Sequence, residues 1–166
     1  MDATDLKILA ILQEDASVSV GEIANRVGLS QTPCWRRIQR LEASGVIRKR
    51  VALLDPQAIG VGLTVFVEIE TGDHSQDWLE RFAASAVAMP EVMEVHRMAG
   101  DVDYLLRVAV ADMAAFDLFY RRLVALLPMK NVTSRFAMEL VKSTTAYPLP
   151  AEAKRARRQP TAAAAG

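Results

Sequence analysis

The stretch VGEIANRVGLSQTPCWRRIQR, residues 20–40, constrains the fold more than any other part of the sequence. Apolar residues follow helical spacing on both sides of Gly28, which predicts two short helices joined by a tight turn. In the second helix, Cys34, Ile38 and Leu41 recur at i, i+4 and i+7 and predict one buried stripe. The pattern is typical of a helix-turn-helix, although two helices around a glycine turn can also form an inert αα-hairpin.

The outer face of the second helix predicts a DNA-reading surface. Ser30 is placed to cap the helix, and Pro33 falls in its first turn, where a missing N–H does little harm. A short helix that turns Thr, Arg and Gln outward can enter the major groove, where Arg pairs with guanine edges. Residues 20–54 hold seven basic and two acidic side chains, whereas the whole chain has 20 of each, so positive charge is concentrated at the motif. The candidate DNA-binding residues are Ser30, Gln31, Thr32, Arg36, Arg37, Gln39, Arg40, Arg48, Lys49 and Arg50.

Composition argues against several kinds of site. One cysteine cannot form an internal disulfide or a cysteine-based zinc site, and the two histidines, His74 and His96, lie far apart in sequence. We therefore expect no metal and no cofactor. The first residues lack the basic region and cleavage signal of a signal peptide, and no apolar run approaches the roughly 20 residues that span a bilayer. We expect a cytoplasmic protein without membrane contact.

The N-terminal part of the chain predicts a small helical bundle with a wing. Asp5 can cap a first helix that runs to about Asp15. The predicted core residues of this helix are Leu6, Ile8, Leu9 and Leu12. After a serine–glycine helix end, the β-branched and basic run VIRKRVALL predicts a strand or wing. The turn-forming run DPQAIGVG then predicts a linker over residues 55–62, so the DNA-binding domain covers residues 1–54.

The second half, residues 63–149, predicts an α+β sandwich of the ferredoxin-like type. The order βαββαβ indicates an antiparallel sheet with helices on one face. The predicted strands cover 63–70, 92–98, 104–110 and 132–141, and the predicted helices cover 76–88 and 113–127. The residues expected to point into the core are Val65, Val67, Ile69, Leu79, Phe82, Ala83, Ala86, Phe116, Phe119, Tyr120, Leu123 and Leu127. The other sheet face carries Phe66, Arg107 and Arg135, a mixture too apolar to stay wholly hydrated, which favours a second copy of the chain as its partner.

Three smaller features have competing interpretations. Residues 150–166 carry alanine and basic residues without apolar periodicity, so we expect a disordered tail. Its KRARR run can contact DNA phosphate or remain solvated, and the solvated tail is favoured. Cys34 lies on the buried stripe, which favours core packing over a redox switch. We expect Trp35, at the flank of that stripe, to wedge the second helix against a neighbouring element.

Taken together, these motifs resemble the bacterial feast/famine regulators of the Lrp/AsnC family. The matching stretches, within residues 2–149, are DATDLKIL, LSQTPCWRRIQRLEASGVI, ALLDPQAIG, AGDVDYLLRV and TSRFAMELVK. Within the family, TPCWRR, VALLDP, RMAGDVDYL and FAMELVK most resemble the cysteine-responsive detoxification branch. The resemblance implies a winged helix-turn-helix joined to an amino-acid-sensing domain. It also implies dimers formed through the sheet domains, which often assemble further into octamers.

The resemblance further implies an effector amino acid in a cleft between subunits, near the hairpin turn and the last strand. Carried over to this sequence, the lining comprises Met98, Ala99, Gly100, Asp101 and Asp103, with Tyr104, Ser134 and Phe136 beside them. Gly100 lets backbone N–H groups approach a carboxylate, and Asp101 or Asp103 can accept from an ammonium group. An ordinary tight turn is the alternative interpretation of this stretch. The expected effector is L-cysteine first and leucine-like amino acids second.

The sequence thus predicts a sequence-specific transcriptional regulator with double-stranded DNA, a small amino acid and further copies of itself as partners. An enzyme is one alternative, because ferredoxin-like folds also host catalysis. The chain shows no Ser/His/Asp or Cys/His set at plausible spacing and no phosphate-cradling glycine loop, so we assign no catalytic residue. An amino-acid-binding module without DNA contact is another alternative, but it leaves the basic helix unexplained.

Overall fold

Three helices form the first part of the chain in the computed structural model, which describes residues 1–150. They are α1 (Ala3–Glu14), α2 (Val20–Val27) and α3 (Gln31–Ala43). The chain divides into two units, the first made of Met1–Ala52 with the residues from Lys142 onward, and the second of Leu53–Val141. The predicted disordered tail falls almost entirely outside the described residues.

The helical bundle closes around the predicted stripe of α3. Cys34, Ile38 and Leu41 are buried, and they share one cluster with Ile8, Leu12, Ile23 and Ala24 from the other two helices. Gly28 ends α2 in the left-handed conformation, with φ of 72°, which a glycine adopts without strain. The predicted helix-turn-helix is therefore present, with its outer face free of core contacts.

The start of α1 differs from the prediction. Asp2, and not Asp5, is the N-cap, and its carboxylate accepts hydrogen bonds from the backbone N–H groups of Thr4 and Asp5, both at 2.9 Å. Asp5 is the third helical residue, and its carboxylate accepts from the backbone N–H of Asp2 at 2.9 Å. The two aspartates form a reciprocal capping box, which satisfies more free N–H groups than a cap at Asp5 alone.

The basic run predicted as a strand or wing forms no strand over residues 46–54. A strand needs a partner for its backbone groups, and none of the strands in the described residues pairs with this segment. Ile47 donates its backbone N–H to Leu41, and Arg50 pairs with Glu42 at 2.9 Å. The run folds back on the end of α3 instead of forming a hairpin.

The second unit is the predicted α+β sandwich. Its elements are β1 (Leu63–Glu70), α4 (Gln76–Val87), β2 (Val92–Arg97), β3 (Tyr104–Val110), α5 (Met113–Val124) and β4 (Asn131–Phe136). The strands form one antiparallel sheet in the order β2-β3-β1-β4. Alternate residues of β1 and β3 face the helices and are buried, which is the period-two pattern expected for a sheet covered on one face.

Two details of this unit depart from the prediction. In α4 the buried stripe is Trp78, Phe82 and Ala86, at i, i+4 and i+8, whereas Ala83 is exposed. The last strand ends at Phe136 and does not reach residue 141. Phe136 pairs with Val65, near the beginning of β1, and the N–H of Ala137 donates to Thr64. Because β1 begins at Leu63, it offers almost no backbone partner to residues after Ala137.

The chain returns to the first unit after β4. Gln13 of α1 holds the backbone of Tyr147 through two hydrogen bonds, since its side-chain amide donates to the carbonyl at 3.0 Å and accepts from the N–H at 2.9 Å. This amide pairing satisfies both backbone groups of Tyr147. It attaches residues 142–150 to the helical bundle.

We expect Gln13→Ala to lower the free energy of unfolding by about 1 kcal/mol, because two exposed hydrogen bonds are lost. The segment around Tyr147 should become more sensitive to limited proteolysis. Gln76→Ala, which removes an exposed amide from α4, is the matched control and should leave cleavage near Tyr147 unchanged. Equal cleavage in the wild type and Gln13→Ala would contradict the role of this pairing.

Candidate nucleic-acid interface and ligand site

The outer face of α3 is open to solvent. Ser30 stands at the N-cap position as predicted, but its side chain forms no capping hydrogen bond. Gln31, Thr32, Arg36 and Gln39 are all exposed. Within the described residues Arg36 has no ion pair or hydrogen bond, whereas the Gln39 amide donates to Glu42 at 3.0 Å. Arg36 is thus free to take up an external acceptor.

Two of the candidate arginines are engaged within the bundle. Arg37 donates to Asp2 at 2.6 Å and to Asp5 at 2.7 Å, and Arg40 donates to both oxygens of Asp5 at 2.8 and 2.9 Å. The side chain of Asp5 is only 1% exposed. These arginines lie on the flank of α3 that faces α1, so their charges neutralise a buried carboxylate.

The ion pairs shift the pKa values of their members. Hydrogen bonds from the backbone of Asp5 and from the Arg37 guanidinium lower the pKa of Asp2 to about 2. For Asp5, desolvation raises the pKa, but the hydrogen bonds from Asp2 and Arg37 and the charge of Arg40 outweigh it, so the pKa is lowered. The same bonds to Asp2 and Asp5 raise the pKa of Arg37. The cluster therefore stays fully charged at neutral pH.

The remaining basic candidates follow α3. Arg48, Lys49 and Arg50 are exposed, and Arg50 is paired with Glu42. Within the described residues, Arg48 and Lys49 carry no ion pair, which leaves them available to phosphate.

Cys34, on the buried stripe, and Trp35, beside it, differ in burial. Cys34 is fully buried, and desolvation raises the pKa of its thiol even though the charge of Arg37 opposes this, which agrees with core packing. The prediction for Trp35 is not supported, because this side chain is 51% exposed and, within the described residues, is not among the hydrophobic residues packed on the core of the bundle.

The predicted effector residues centre on the turn between β2 and β3. Gly100 has φ of 125°, a conformation that favours glycine, and the backbone N–H of Met98 donates to the carbonyl of Asp103 at 2.8 Å. Met98, Ala99, Gly100 and Asp101 are exposed, and Asp101 has no hydrogen bond or ion pair within the described residues. The turn is tightly closed, yet it offers a free carboxylate.

Asp103 has a structural task in this turn. Its carboxylate accepts a hydrogen bond from the backbone N–H of Thr71 at 2.7 Å, and its other oxygen lies 3.7 Å from Nδ1 of His74. Its backbone N–H also donates to Ile69 at 2.9 Å. Asp103 thus ties the β2–β3 turn to the end of β1, and Asp101 is the better placed acceptor for a ligand ammonium group.

The other three predicted effector residues lie on the helix-facing side of the sheet. Tyr104 is 6% exposed, with its ring 4.7 Å from Phe82, so it is a core residue. Phe136 contacts Phe116 edge-on at 5.1 Å, and the hydroxyl of Ser134 is buried without a hydrogen-bond partner. Phe136 and Tyr104 pair with opposite ends of β1, so a single chain does not bring Phe136 to the turn.

A hollow that the sequence does not predict lies at the end of α5. A cavity of about 690 Å³ lies between the segment from Val124 to Val132 and Arg81 of α4. No motif marks it, because it arises where the loop around Pro128 passes the first half of α4. In the described part of the chain no group of three or more His, Cys, Asp or Glu is placed to hold a metal ion.

The uncovered sheet face carries the residues predicted for it. Arg107 pairs with Glu94 at 2.6 Å and Arg135 pairs with Glu68 at 2.8 Å, with the half-buried Phe66 beside both arginines. The arginine charges are neutralised within the face, which lowers the desolvation penalty for covering it.

Comparison with protein families assigns both units. The model described as a winged helix-turn-helix DNA-binding domain matches residues 1–48, and the model described as the Lrp/AsnC ligand binding domain matches residues 64–147. No helix in residues 1–150 is both long enough and apolar enough to cross a membrane.

Similar proteins that are named as regulators match this chain over nearly their whole length. The DNA-binding transcriptional activator DecR of Escherichia coli K12 is 51% identical over 90% of this chain and 99% of its own. The crystal structure of an AsnC family transcriptional regulator from Agrobacterium tumefaciens is 56% identical, with a TM-score of 0.86 over 89% of this chain and 97% of that one. A transcriptional regulator from Neisseria meningitidis in complex with L-Met is 37% identical, with a TM-score of 0.86 over 91% and 98%.

Proposed function

Because the chain belongs to the Lrp/AsnC family of DNA-binding transcriptional regulators, we propose that α3 is its recognition helix and reads a major groove through Thr32, Arg36 and Gln39. The observation that carries this proposal is the exposed guanidinium of Arg36, unpaired within residues 1–150, on the face opposite the buried stripe. Arg donates two parallel hydrogen bonds to a guanine, and the shorter Thr and Gln side chains can contact neighbouring base edges.

The other basic residues take different roles in this proposal. Arg48 and Lys49 contact phosphates beside the groove, because both are exposed and within the described residues neither is paired. Arg37 and Arg40 anchor α3 to α1 through Asp5 and set the angle of the recognition helix. Ser30 and Gln31, at the beginning of α3, contact phosphate, because the backbone N–H groups at a helix N-terminus favour anions.

We propose a small amino acid as the signal, with L-cysteine first and methionine- or leucine-like amino acids next. The stretches TPCWRR, VALLDP, RMAGDVDYL and FAMELVK, which resemble the cysteine-responsive branch, support cysteine, and the L-Met complex of the Neisseria regulator supports a sulfur-bearing side chain. The β2–β3 turn is the binding place. Backbone N–H groups around Gly100 donate to the ligand carboxylate, Asp101 accepts from the ammonium group, and Met98 contacts the side chain.

Assembly is part of the proposal. A second copy covers the uncovered sheet face, where Phe66 stands among internally paired arginines, and dimers associate further into octamers. In a cleft between subunits, Phe136 of one copy can contact an effector at the β2–β3 turn of another copy. Within a single chain, Phe136 and this turn lie apart. The regulator acts in the cytoplasm, where its DNA lies.

The test of the effector site is calorimetric titration of the whole chain with each of the twenty amino acids. We expect L-cysteine or L-methionine to bind, and Asp101→Asn to weaken binding about tenfold or more, because the charged acceptor for the ammonium group is lost. Asp117→Asn, which changes an exposed aspartate of α5, is the control and should bind like the wild type. Unchanged binding by Asp101→Asn would place the site elsewhere, and binding of charged amino acids alone would contradict the proposed contact of the ligand side chain with Met98.

A further inference from the structure

Trp35 is the one aromatic residue of α3, and its indole is exposed on the recognition helix. It is 51% exposed, whereas the chain's other tryptophan, Trp78, is 4% exposed and donates its N–H to the carbonyl of Pro128 at 3.1 Å. Within the described residues the N–H of Trp35 has no acceptor. Trp35 therefore presents an apolar ring and an unused N–H donor to solvent on the proposed DNA-binding helix. A partner that offers both an apolar surface and a hydrogen-bond acceptor would satisfy both parts of this side chain.

The position of Trp35 around the helix limits what that partner can be. Successive helical residues are rotated by about 100°, so Trp35 lies roughly 90° from the centre of the stripe formed by Cys34, Ile38 and Leu41. Arg36 lies roughly 170° from that centre and points at the floor of a groove that holds the helix. A flank residue points instead at the groove wall, which is made of deoxyribose and phosphate. The opposite flank is occupied by Arg37, which faces α1.

We infer that Trp35 clamps the sugar–phosphate backbone at one wall of the major groove. Its ring packs on a deoxyribose and its N–H donates to a phosphate oxygen. This contact carries no base information, because every nucleotide presents the same sugar and phosphate. It therefore adds affinity for any duplex and holds α3 in the groove. The inference rests on the DNA face proposed above.

The neutral charge of the indole separates this contact from a basic one. A lysine or arginine on a phosphate releases counterions, so its removal flattens the dependence of affinity on salt by about one unit. Removal of an indole releases none. We therefore expect Trp35→Ala to weaken binding about tenfold, equally for a specific site and for random duplex DNA, with an unchanged salt slope. Trp35→Phe keeps most of the apolar contact but loses the donor, and we expect it to fall between the wild type and Trp35→Ala.

The measurement is fluorescence anisotropy of labelled DNA titrated with the full chain at several salt concentrations. Tyr147→Ala is the matched control, because it removes another exposed aromatic ring from the same unit without touching α3. Intrinsic fluorescence gives a second readout, since DNA should quench the wild-type signal and leave Trp35→Phe, which retains only Trp78, unchanged.

These measurements distinguish failure of the Trp35 clamp from failure of the proposed base-reading face. Wild-type affinity in both Trp35 variants overturns the inference, whereas a loss confined to the specific site makes Trp35 a base reader and overturns the backbone clamp. A change in sedimentation of Trp35→Phe without DNA makes the residue a subunit contact and equally overturns it. If Arg36→Ala keeps wild-type specificity while the Trp35 variants lose affinity as expected, the proposed base-reading face fails and the clamp stands.

Discussion

Replacing Asp5 with alanine is expected to lower the free energy of unfolding of the helical unit by about 2–3 kcal/mol. The Asp5 carboxylate is buried and accepts from Arg37, Arg40 and the backbone of Asp2, so its removal breaks charge-assisted bonds and half of the capping box together. Arg37, only 28% exposed, then loses its buried partner. Denaturant unfolding monitored by circular dichroism measures the effect.

The control for this prediction is Asp117→Ala on α5. Asp117 also pairs with an arginine, Arg121 at 2.8 Å, but both side chains are more than half exposed. An exposed pair contributes about 0–1 kcal/mol, so this variant should unfold almost like the wild type. Equal destabilisation by the two substitutions would show that burial of Asp5 contributes nothing beyond an ordinary surface ion pair.

The same cluster predicts the response to acid. A carboxylate whose pKa is lowered by folding stabilises the native state at every pH above its ordinary pKa, 3.8 for aspartate. That contribution is lost as the pH falls toward the folded value, about 2 for Asp2. Wild-type stability should therefore decline between about pH 4 and pH 2, and Asp5→Ala should show a weaker decline over the same interval.

Hydrophobic periodicity was sufficient to predict the order of elements in the second unit. Alternation at Val65, Val67 and Ile69 predicts a half-buried strand, and that strand is central in the sheet. The α3 stripe was equally clear, because a short helix over a core needs apolar residues at this spacing. Periodicity does not specify where an element ends, and the end of β4 depends on where its partner β1 begins.

Contacts between residues distant in sequence were not predictable in this way. Nothing local indicates that Asp5 would be buried between Arg37 and Arg40, or that Asp103 would hold the backbone of Thr71. The sequence alone does not show whether a charged side chain is free to bind DNA or a ligand, because its ion-pair partner within the fold can lie far away along the chain. This is why several residues of the predicted DNA-binding and effector sets have structural tasks, while Arg36 and Asp101 stay free within the described residues.

Arg36→Ala is expected to weaken binding to a specific DNA site about 10- to 100-fold, which corresponds to about 1–3 kcal/mol. Arg36 lies in the middle of the outer face of α3, and its guanidinium can donate two parallel hydrogen bonds to O6 and N7 of a guanine. Random duplex DNA should lose much less affinity, so the ratio of specific to random binding should fall. The site is first obtained by selection from a random DNA library with the wild-type chain, and both affinities are then measured at fixed salt.

Arg48→Ala is the matched control, because it removes the same charge from an exposed position beyond α3. A phosphate contact at Arg48 predicts an equal loss for specific and random DNA and a salt slope reduced by about one unit. For Arg36→Ala, replacing the guanine opposite residue 36 should partly restore binding. The replacement removes the guanine edge that the substitution leaves without its arginine partner. If both variants lose affinity equally for all sequences, Arg36 contacts phosphate, and the base-reading face of α3 must be turned toward another set of side chains.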